Sequence, residues 1–494
     1  MDVELQILKH LARDAHPTVA IVDEYCALYK DLFKEVRNYE CFKYLHLGII
    51  SPIKRKSLPE IAKVVSINSA QSLHHFIANS DWSVSKLKSR RLNKLKRALN
   101  GQAITVVIDE TGDRKKGNST DYVARQYLGS VGKIDNGIVT VNAYGVYDKI
   151  TFPLCFKVFK PKGTLKEGDK YKTKIELASE IITSLINQGF NIELVLADSL
   201  YGEQVCRTEA SVPATLRESS EFIKKLNEYK LAYVVAIRSN HGVWLPASQS
   251  VRANKWCKFA RTFSNQKSEI RYIREIVYGK KRAITYWEIT SDPETMPENS
   301  TSFVMTNLQG NLKKTLGDLY GLRTWVEFGD KNKRQASPQQ NNLLRTTDQQ
   351  IKPASYFQAL PAVEYGFRQC KQELGWTDYR FTNFQHIERW WEIIFCVYTM
   401  ITLNSPAFLS LNQSHQIEGE VQQNQRSDFF AHQQWNHDSG WKNTLNNLRL
   451  IVQPLFLLWL IYPWLDIFPN SNLLLGFNHL ISAMNQYKPF YSSG

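Results

Sequence analysis

Two carboxylates stand where chemistry on a polyanion could be organised. Asp109 follows Ile104-Thr-Val-Val-Ile108 and Asp198 follows Ile192-Glu-Leu-Val-Leu-Ala197, short apolar runs of the kind that form strands buried on both faces. Ligands gather at the C-terminal edge of an open α/β sheet, so the two carboxylates meet there if their strands are neighbours. Cleaving a phosphodiester needs a nucleophilic water, stabilised phosphoryl charge and help for the departing oxygen. Two magnesium ions roughly 3.5–4 Å apart supply all three, and carboxylates are the hard oxygen ligands that hold them. Strand-end aspartates also cap turns, so spacing alone leaves both readings open. Tyr320-Gly-Leu-Arg-Thr-Trp-Val-Glu327 adds Tyr320, Arg323 and Glu327 at i, i+3 and i+7, one face of a helix. Glu327 can complete a metal site there and Arg323 can pair with a phosphate through two parallel bonds. An amphipathic helix with a surface ion pair has the same pattern.

Positioning those residues takes a sheet and its helices. Strands are expected at 104–108, 122–128, 137–147 and 192–197. A helix through Ile175, Ala178, Ile182 and Ile186, ended by Gly189, precedes the last of them. That alternation predicts an α/β fold with a mixed sheet. The expected organisation is a helical, DNA-binding segment over 1–100, the first part of the catalytic core over 101–204, and a β-rich insertion over 205–310. The C-terminal helices of the core follow over 311–403, then a Gln/Asn-rich loop and helical region over 404–494. Gln/Asn-rich stretches at about 330–352 and 411–437 have few apolar anchors and are expected to loop out.

Charge points to the partner. The 494 residues carry a formal net charge of +15, which favours nucleic acid over an anionic membrane surface. Ser57 to Ile77 reads as two helices joined by a turn, Ser57 and Glu60 forming a capping box, in the outline of a helix-turn-helix. Any helical domain also contains such pairs. Val84 to Arg97 holds seven Lys and Arg and no carboxylate over a helical stripe of Val and Leu, a face suited to phosphates. Seven scattered cysteines without zinc or disulfide spacing fit a reducing, cytoplasmic setting. No signal sequence is apparent. The apolar stretch Leu450 to Leu465 is broken by Gln453, Pro454 and Pro463 and reads as core helix and turn rather than a membrane span. No phosphate-binding loop of the Walker type occurs.

The motifs as a set resemble the DDE transposases of bacterial insertion sequences, in the superfamily with a Tyr-Arg-Glu-Lys signature, most closely the group named after insertion sequence seven-hundred-one. They are Ile108-Asp-Glu-Thr-Gly-Asp-Arg-Lys-Lys-Gly117, Val123-Ala-Arg-Gln-Tyr-Leu-Gly129, Leu196-Ala-Asp-Ser-Leu-Tyr-Gly202, Tyr320 to Glu327, and Lys371-Gln-Glu-Leu-Gly-Trp376. They run in the family order over about residues 40 to 400. The resemblance implies a ribonuclease H-like core, two Mg2+ or Mn2+ ions on Asp109, Asp198 and a helical Glu, and DNA contacts from Tyr320, Arg323 and Lys371. It further implies action on transposon terminal inverted repeats and target DNA, by a homodimer or higher assembly.

One departure from the pattern concerns the third carboxylate. The family places a Lys after six intervening residues, where this chain has Arg334 after Glu327. The fitting Lys371 instead follows Glu364. Val326-Glu-Phe-Gly329 and Val363-Glu-Tyr-Gly366 are near copies, so the 37 residues from Asp330 to Gly366 read as an insertion. Glu327 keeps Tyr320 and Arg323, whereas Glu364 has Phe357 and Leu360 in their places. The intact upstream helix favours Glu327. Two other functions fit an interrupted signature: an inactive end-binding relic or repressor, and a ribonuclease H-like nuclease that cuts without joining.

Overall fold

The computed structural model describes residues 13–129, 131–147, 150–202, 221–239, 241, 248, 250–262, 268–278, 283–310, 312–324, 363–417, 432–438 and 440–487. Among the described residues the first five α-helices are α1 (Ala20–Ala27), α2 (Val36–Ile50), α3 (Leu58–Val64), α4 (Gln71–Ala78) and α5 (Val84–Leu99). The expected pair at 57–77 is present as α3 and α4, joined by a turn in which Ser66 adopts a φ of 54°. Its capping box is not: Ser57 makes no side-chain cap, and Glu60 pairs with Lys63 at 2.9 Å one turn on. Leu73, Phe76 and Ile77 bury one side of α4 while Gln71, His74 and His75 stay exposed.

Inside this layer, the imidazole of His46 on α2 is fully buried. Its Nδ1 lies 2.8 Å from the Phe42 carbonyl, its ring is 4.3 Å from that of Phe42, and Nε2 has no partner. Burial pushes its pKa down to about 4. A group whose folded pKa lies below its unfolded value stabilises the fold above the unfolded pKa, and that stability is lost as pH falls toward the folded one. Between pH 6.5 and 4 this side chain should therefore withdraw about 3 kcal/mol, at 1.36 kcal/mol per pKa unit. His46→Leu is expected to flatten the acid limb of the melting-temperature profile. A parent-to-variant gap that stays constant from pH 7 to pH 4 would remove His46 as the cause.

Among the described residues eleven strands form one sheet in the order β2-β3-β1-β5-β6-β11-β10-β9-β7, with β4 on β3 and β8 on β9. They are β1 (Ile104–Arg114), β2 (Ala124–Leu128), β3 (Lys133–Tyr147), β4 (Ile150–Val158), β5 (Ile192–Ala197), β6 (Ala232–Ile237), β7 (Val251–Ala253), β8 (Cys257–Thr262), β9 (Ser268–Tyr278), β10 (Thr285–Thr290) and β11 (Ser302–Thr306). β3 runs antiparallel beside β1 and β4 antiparallel to β3, whereas β5 and β6 run parallel to β1. This is the mixed sheet expected of a ribonuclease H-like core. The strands of the β-rich stretch extend it, because β11 pairs antiparallel with β6.

β4 lacks an expectation in the sequence because Pro153 interrupts its strand pattern. Proline is tolerated at a sheet edge or a bulge, and here the register shifts between Ala143 and Tyr144 opposite Pro153. The carbonyls left over are taken by Arg91, a wholly buried guanidinium on α5 that donates to Pro153 O and Leu154 O, each at 2.8 Å. Its Nε donates to Glu392 at 2.6 Å. So one of the seven cations assigned from sequence to a DNA-facing surface instead closes a sheet edge. Arg90 is partly diverted too, donating to Asp31 at 2.9 Å.

Helices cover both faces. α6 (Lys174–Asn187) is capped by reciprocal Thr173 and Glu176 bonds and ends at Gly189, with a φ of 78°. α7 (Ser199–Gly202) and α8 (Glu221–Glu228) lie between β5 and β6, and α9 (Lys313–Thr324) follows the last strand. Then come α10 (Val363–Arg368), extended by one π turn over Gln369–Glu373, and α11 (Phe384–Ile417). Trp390 and Trp391 on α11 are core residues, with Trp391 stacked on Trp376 at 4.7 Å. The chain closes with α12 (Trp441–Ile467) and α13 (Ser471–Met484). The expectation of a core helix and turn at Leu450 to Leu465 needs correction. α12 runs unbroken through Pro454 and Pro463, buried at its start and exposed toward its end.

Candidate active site

The parallel register of β1 and β5 ends with Ile108 opposite Ala197. Asp109 and Asp198 are each the next residue, so they stand at one level, about 4.8 Å apart across the sheet; only Asp198 follows the end of its strand, because β1 runs on through Asp109 to Arg114, paired with β3, beyond the end the sequence suggested. Each is half-buried and oriented by a backbone amide. Glu110 N donates to Asp109 Oδ1 at 2.7 Å, and Leu200 N donates to Asp198 Oδ1 at 2.5 Å. The second bond is possible because the chain turns straight from β5 into α7. Gly202 seats that turn, since a Cβ there would stand 2.5 Å from the Ala236 carbonyl of β6. The Leu196 to Gly202 motif is thus a strand end, a carboxylate and the close packing that holds it.

Strand alternation separates the neighbouring acids. Residues directly opposite on antiparallel strands share a face, so Asp109, opposite Asn142, lies on the side of Val107 and its partner Tyr144. That side is covered by α10 and α11, with the Tyr144 ring 5.2 Å from Phe367 and 6.0 Å from Phe395. Glu110 belongs to the other face and pairs with Lys174 of α6 at 2.5 Å. Asp113 lies within β1, beyond the 104–108 strand expected from sequence. It accepts from Tyr379 at 2.7 Å and pairs with Lys115 at 2.8 Å. Burial, with Asp113 beside it, raises the Tyr379 pKa. Four residues along a strand is about 13 Å, too far for Asp113 to share a metal with Asp109.

The remaining signature residues divide between two helices. Tyr320 and Arg323 stand on α9, which packs against β5 and β6. Glu327 lies outside the described residues. Glu364 is the second residue of α10, which packs against β1 and β4. That contact is close: a Cβ on Gly366 would come within 2.5 Å of the Tyr144 ring. Lys371 donates to the Gly112 carbonyl of β1 at 2.9 Å, and burial lowers its pKa. Gly112 stands on the strand of Asp109, three residues beyond it.

Asn142 escaped the sequence reading. It is wholly buried opposite Asp109; Nδ2 donates to Thr140 O at 3.0 Å and to Thr140 Oγ1 at 2.9 Å, while Oδ1 has no donor. A buried acceptor left unmet costs about 1–3 kcal/mol. Its signal was legible: an Asn inside Val139-Thr-Val-Asn-Ala-Tyr-Gly-Val146, where strand propensity disfavours it. The donor set, one carboxylate within β1, one just past the end of β5 and an unmet amide oxygen on β3, is composed of hard oxygens and fits a divalent cation. Among the described residues no three of His, Cys, Asp and Glu converge.

Comparison with known proteins places these features. Residues 29–258 match the family described as DDE superfamily endonuclease. The chain is 44% identical over 407 residues to a probable transposase for insertion sequence element IS701 from Microchaete diplosiphon, covering 82% of this chain and 94% of that relative.

Proposed function

Because the chain belongs to the DDE superfamily, in the group of the IS701 transposase, we propose that it cuts transposon ends in cytoplasmic DNA and joins them to a target through Asp109, Asp198 and Glu327. The register that sets Asp109 and Asp198 side by side carries this reading. Those residues would hold two Mg2+ or Mn2+ ions, which when bound activate water and stabilise charge on the phosphoryl oxygens. The chain itself supplies orientation. The Glu110 and Leu200 amides hold one oxygen of each aspartate, leaving no rotamer search during reaction. Arg323 is assigned to a DNA phosphate, with Tyr320 one turn before it and Lys371 anchoring α10 to β1.

Residues 1–100 are assigned to end binding and the later segments to the divided core described from sequence. On α5, Lys86, Arg90, Lys94 and Arg97 line one cleft of about 510 Å³ with Ser85, Ser89 and Asn93. Successive cations there are three or four residues, roughly 4.5–6 Å, apart along the helix. Holding two ends at once requires at least a homodimer in the assembled complex.

Supplied with end DNA, a circular target and Mg2+, the protein should yield joined product that depends on a 3′-hydroxyl at the end. Cleavage without joining would identify a nuclease, and binding without cleavage a relic or repressor. Lys86→Ala with Arg97→Ala should weaken end binding and reduce its salt dependence by about two counterions. An unchanged salt slope would exclude the α5 cleft from the DNA path.

Glu364 is a second reading for the third carboxylate, favoured by the packing of its helix on the strand of Asp109.

A further inference from the structure

Asn142 stands between Asp109 of β1 and Phe156 of β4, its register partners on either side of β3. Residues opposite one another share a face, so all three lie on the side that α10 and α11 cover. The amide has one chemically consistent orientation. Thr140 O can only accept, so the group 3.0 Å from it is the NH2, which also donates to Thr140 Oγ1 at 2.9 Å. The amide oxygen, wholly buried, is left without a donor. Its surroundings offer few. Toward β4 stands the Phe156 ring, 5.6, 5.5 and 5.4 Å from the rings of Trp376, Trp391 and Phe395. The next residue of β3 on this face is Tyr144, whose hydroxyl meets Cys370 Sγ at 3.4 Å. On the β1 side the partner is Asp109, whose Oδ1 accepts from Glu110 N at 2.7 Å. A carboxylate and an amide oxygen on neighbouring strands repel one another unless a cation or a donor stands between them.

We propose that the Asn142 amide oxygen is a further ligand of the divalent ion held by Asp109. The inference rests on the metal reading of the two aspartates and adds a neutral residue that the acidic signature does not contain. Opposed residues of an antiparallel pair have Cβ atoms about 4.5–5.5 Å apart. An ion roughly 2.0–2.1 Å from each oxygen spans that gap. Amide carbonyls and carboxylates are both hard donors suited to Mg2+ or Mn2+. A neutral ligand fixes the ion without cancelling more of its charge, which stays available to the phosphoryl oxygens. Because the oxygen is wholly buried, DNA does not compete for it. The position also acquires a reason for its residue type. A β-branched or apolar side chain suits a central strand better, and a buried polar group kept without a protein partner calls for an ion, a water or a chemical role.

Melting of the full chain without DNA, over a titration with millimolar MnCl2, reads this ligand apart from catalysis, because an ion that binds the folded state raises its stability with the logarithm of concentration over Kd. Asn142→Leu keeps the branched outline and removes the oxygen. It is expected to melt within a few degrees of the parent without metal, yet to need at least tenfold more Mn2+ for the same rise in melting temperature. If the leucine chain does not fold, Asn142→Thr, a good strand former whose oxygen ends one bond short, should show the same displacement. Asp109→Asn, measured in parallel, should lose at least as much of the response. A normal Mn2+ response in the folded Asn142 variants, with the response of Asp109→Asn weakened, would overturn the proposal and leave the oxygen to a bound water. A parent that ignores Mn2+, or an Asp109→Asn chain that responds like the parent, would overturn the metal reading of the aspartates and this ligand with it.

Discussion

Asp109→Asn and Asp198→Asn should each abolish end nicking, by more than about 10³-fold or roughly 4 kcal/mol of barrier, while leaving end binding close to the parent value. Each change removes one ionised oxygen and keeps the side-chain shape, and each keeps an oxygen for the Glu110 or Leu200 amide that orients the native carboxylate. The loss is therefore expected in chemistry and not in folding. Glu110→Gln is the matched control. It neutralises the adjacent residue on β1, whose carboxylate pairs with Lys174 on the opposite face, so nicking should stay within about tenfold of the parent. Single-turnover cleavage of a short end duplex, with a melting curve for each variant, reads both. If an Asn variant cuts within tenfold of the parent while Glu110→Gln is dead, the face assignment of the strand is wrong.

The parts of this site that were legible in sequence are those set by local rules. An apolar run marks a buried strand, and the alternation of strands and helices gives the fold class. Parallel pairing of the two strands then aligns Asp109 with Asp198. What the sequence hid depends on partners far along the chain. Arg91 looks like one cation among seven until Glu392 and the β4 carbonyls, some 300 and 60 residues away, are brought to it. β4 was invisible because its proline is admissible only at an edge, and edges are decided by the whole sheet. The end of β1 was set too early for a similar reason. Asp113 and Arg114 are polar, yet β3 continues to pair with them. Likewise, Pro454 and Pro463 signal helix breaks that α12 does not make. Burial differs along this helix because only its first half meets the core.

The duplicated tetrapeptide yields the most discriminating result expected of this chain. Glu327 stands two residues before Gly329, as Glu364 stands two before Gly366, and Gly366 lies where a Cβ would strike the Tyr144 ring. Only a glycine can seat there, and the chain carries two Val-Glu-aromatic-Gly segments. Deleting Asp330 to Gly366 joins Gly329 to Phe367 and sets six residues between Glu327 and Lys371. Gly329 then takes the place against Tyr144, and one Glu follows Tyr320 and Arg323 at helical spacing. That shortened chain should nick at least as fast as the parent, because a single continuous helix costs less to order than two segments held by a long connection. In the parent, Glu327→Gln should lose nicking by more than about 10³-fold and Glu364→Gln by less than tenfold. The reverse pattern would give the third carboxylate to Glu364, whose helix already lies on the strand of Asp109. An inactive parent with an active deletion chain would mean that the insertion silenced this copy while leaving both halves of its signature usable. Failure of both chains to cut, with end binding retained, would leave a protein that holds transposon ends without breaking them.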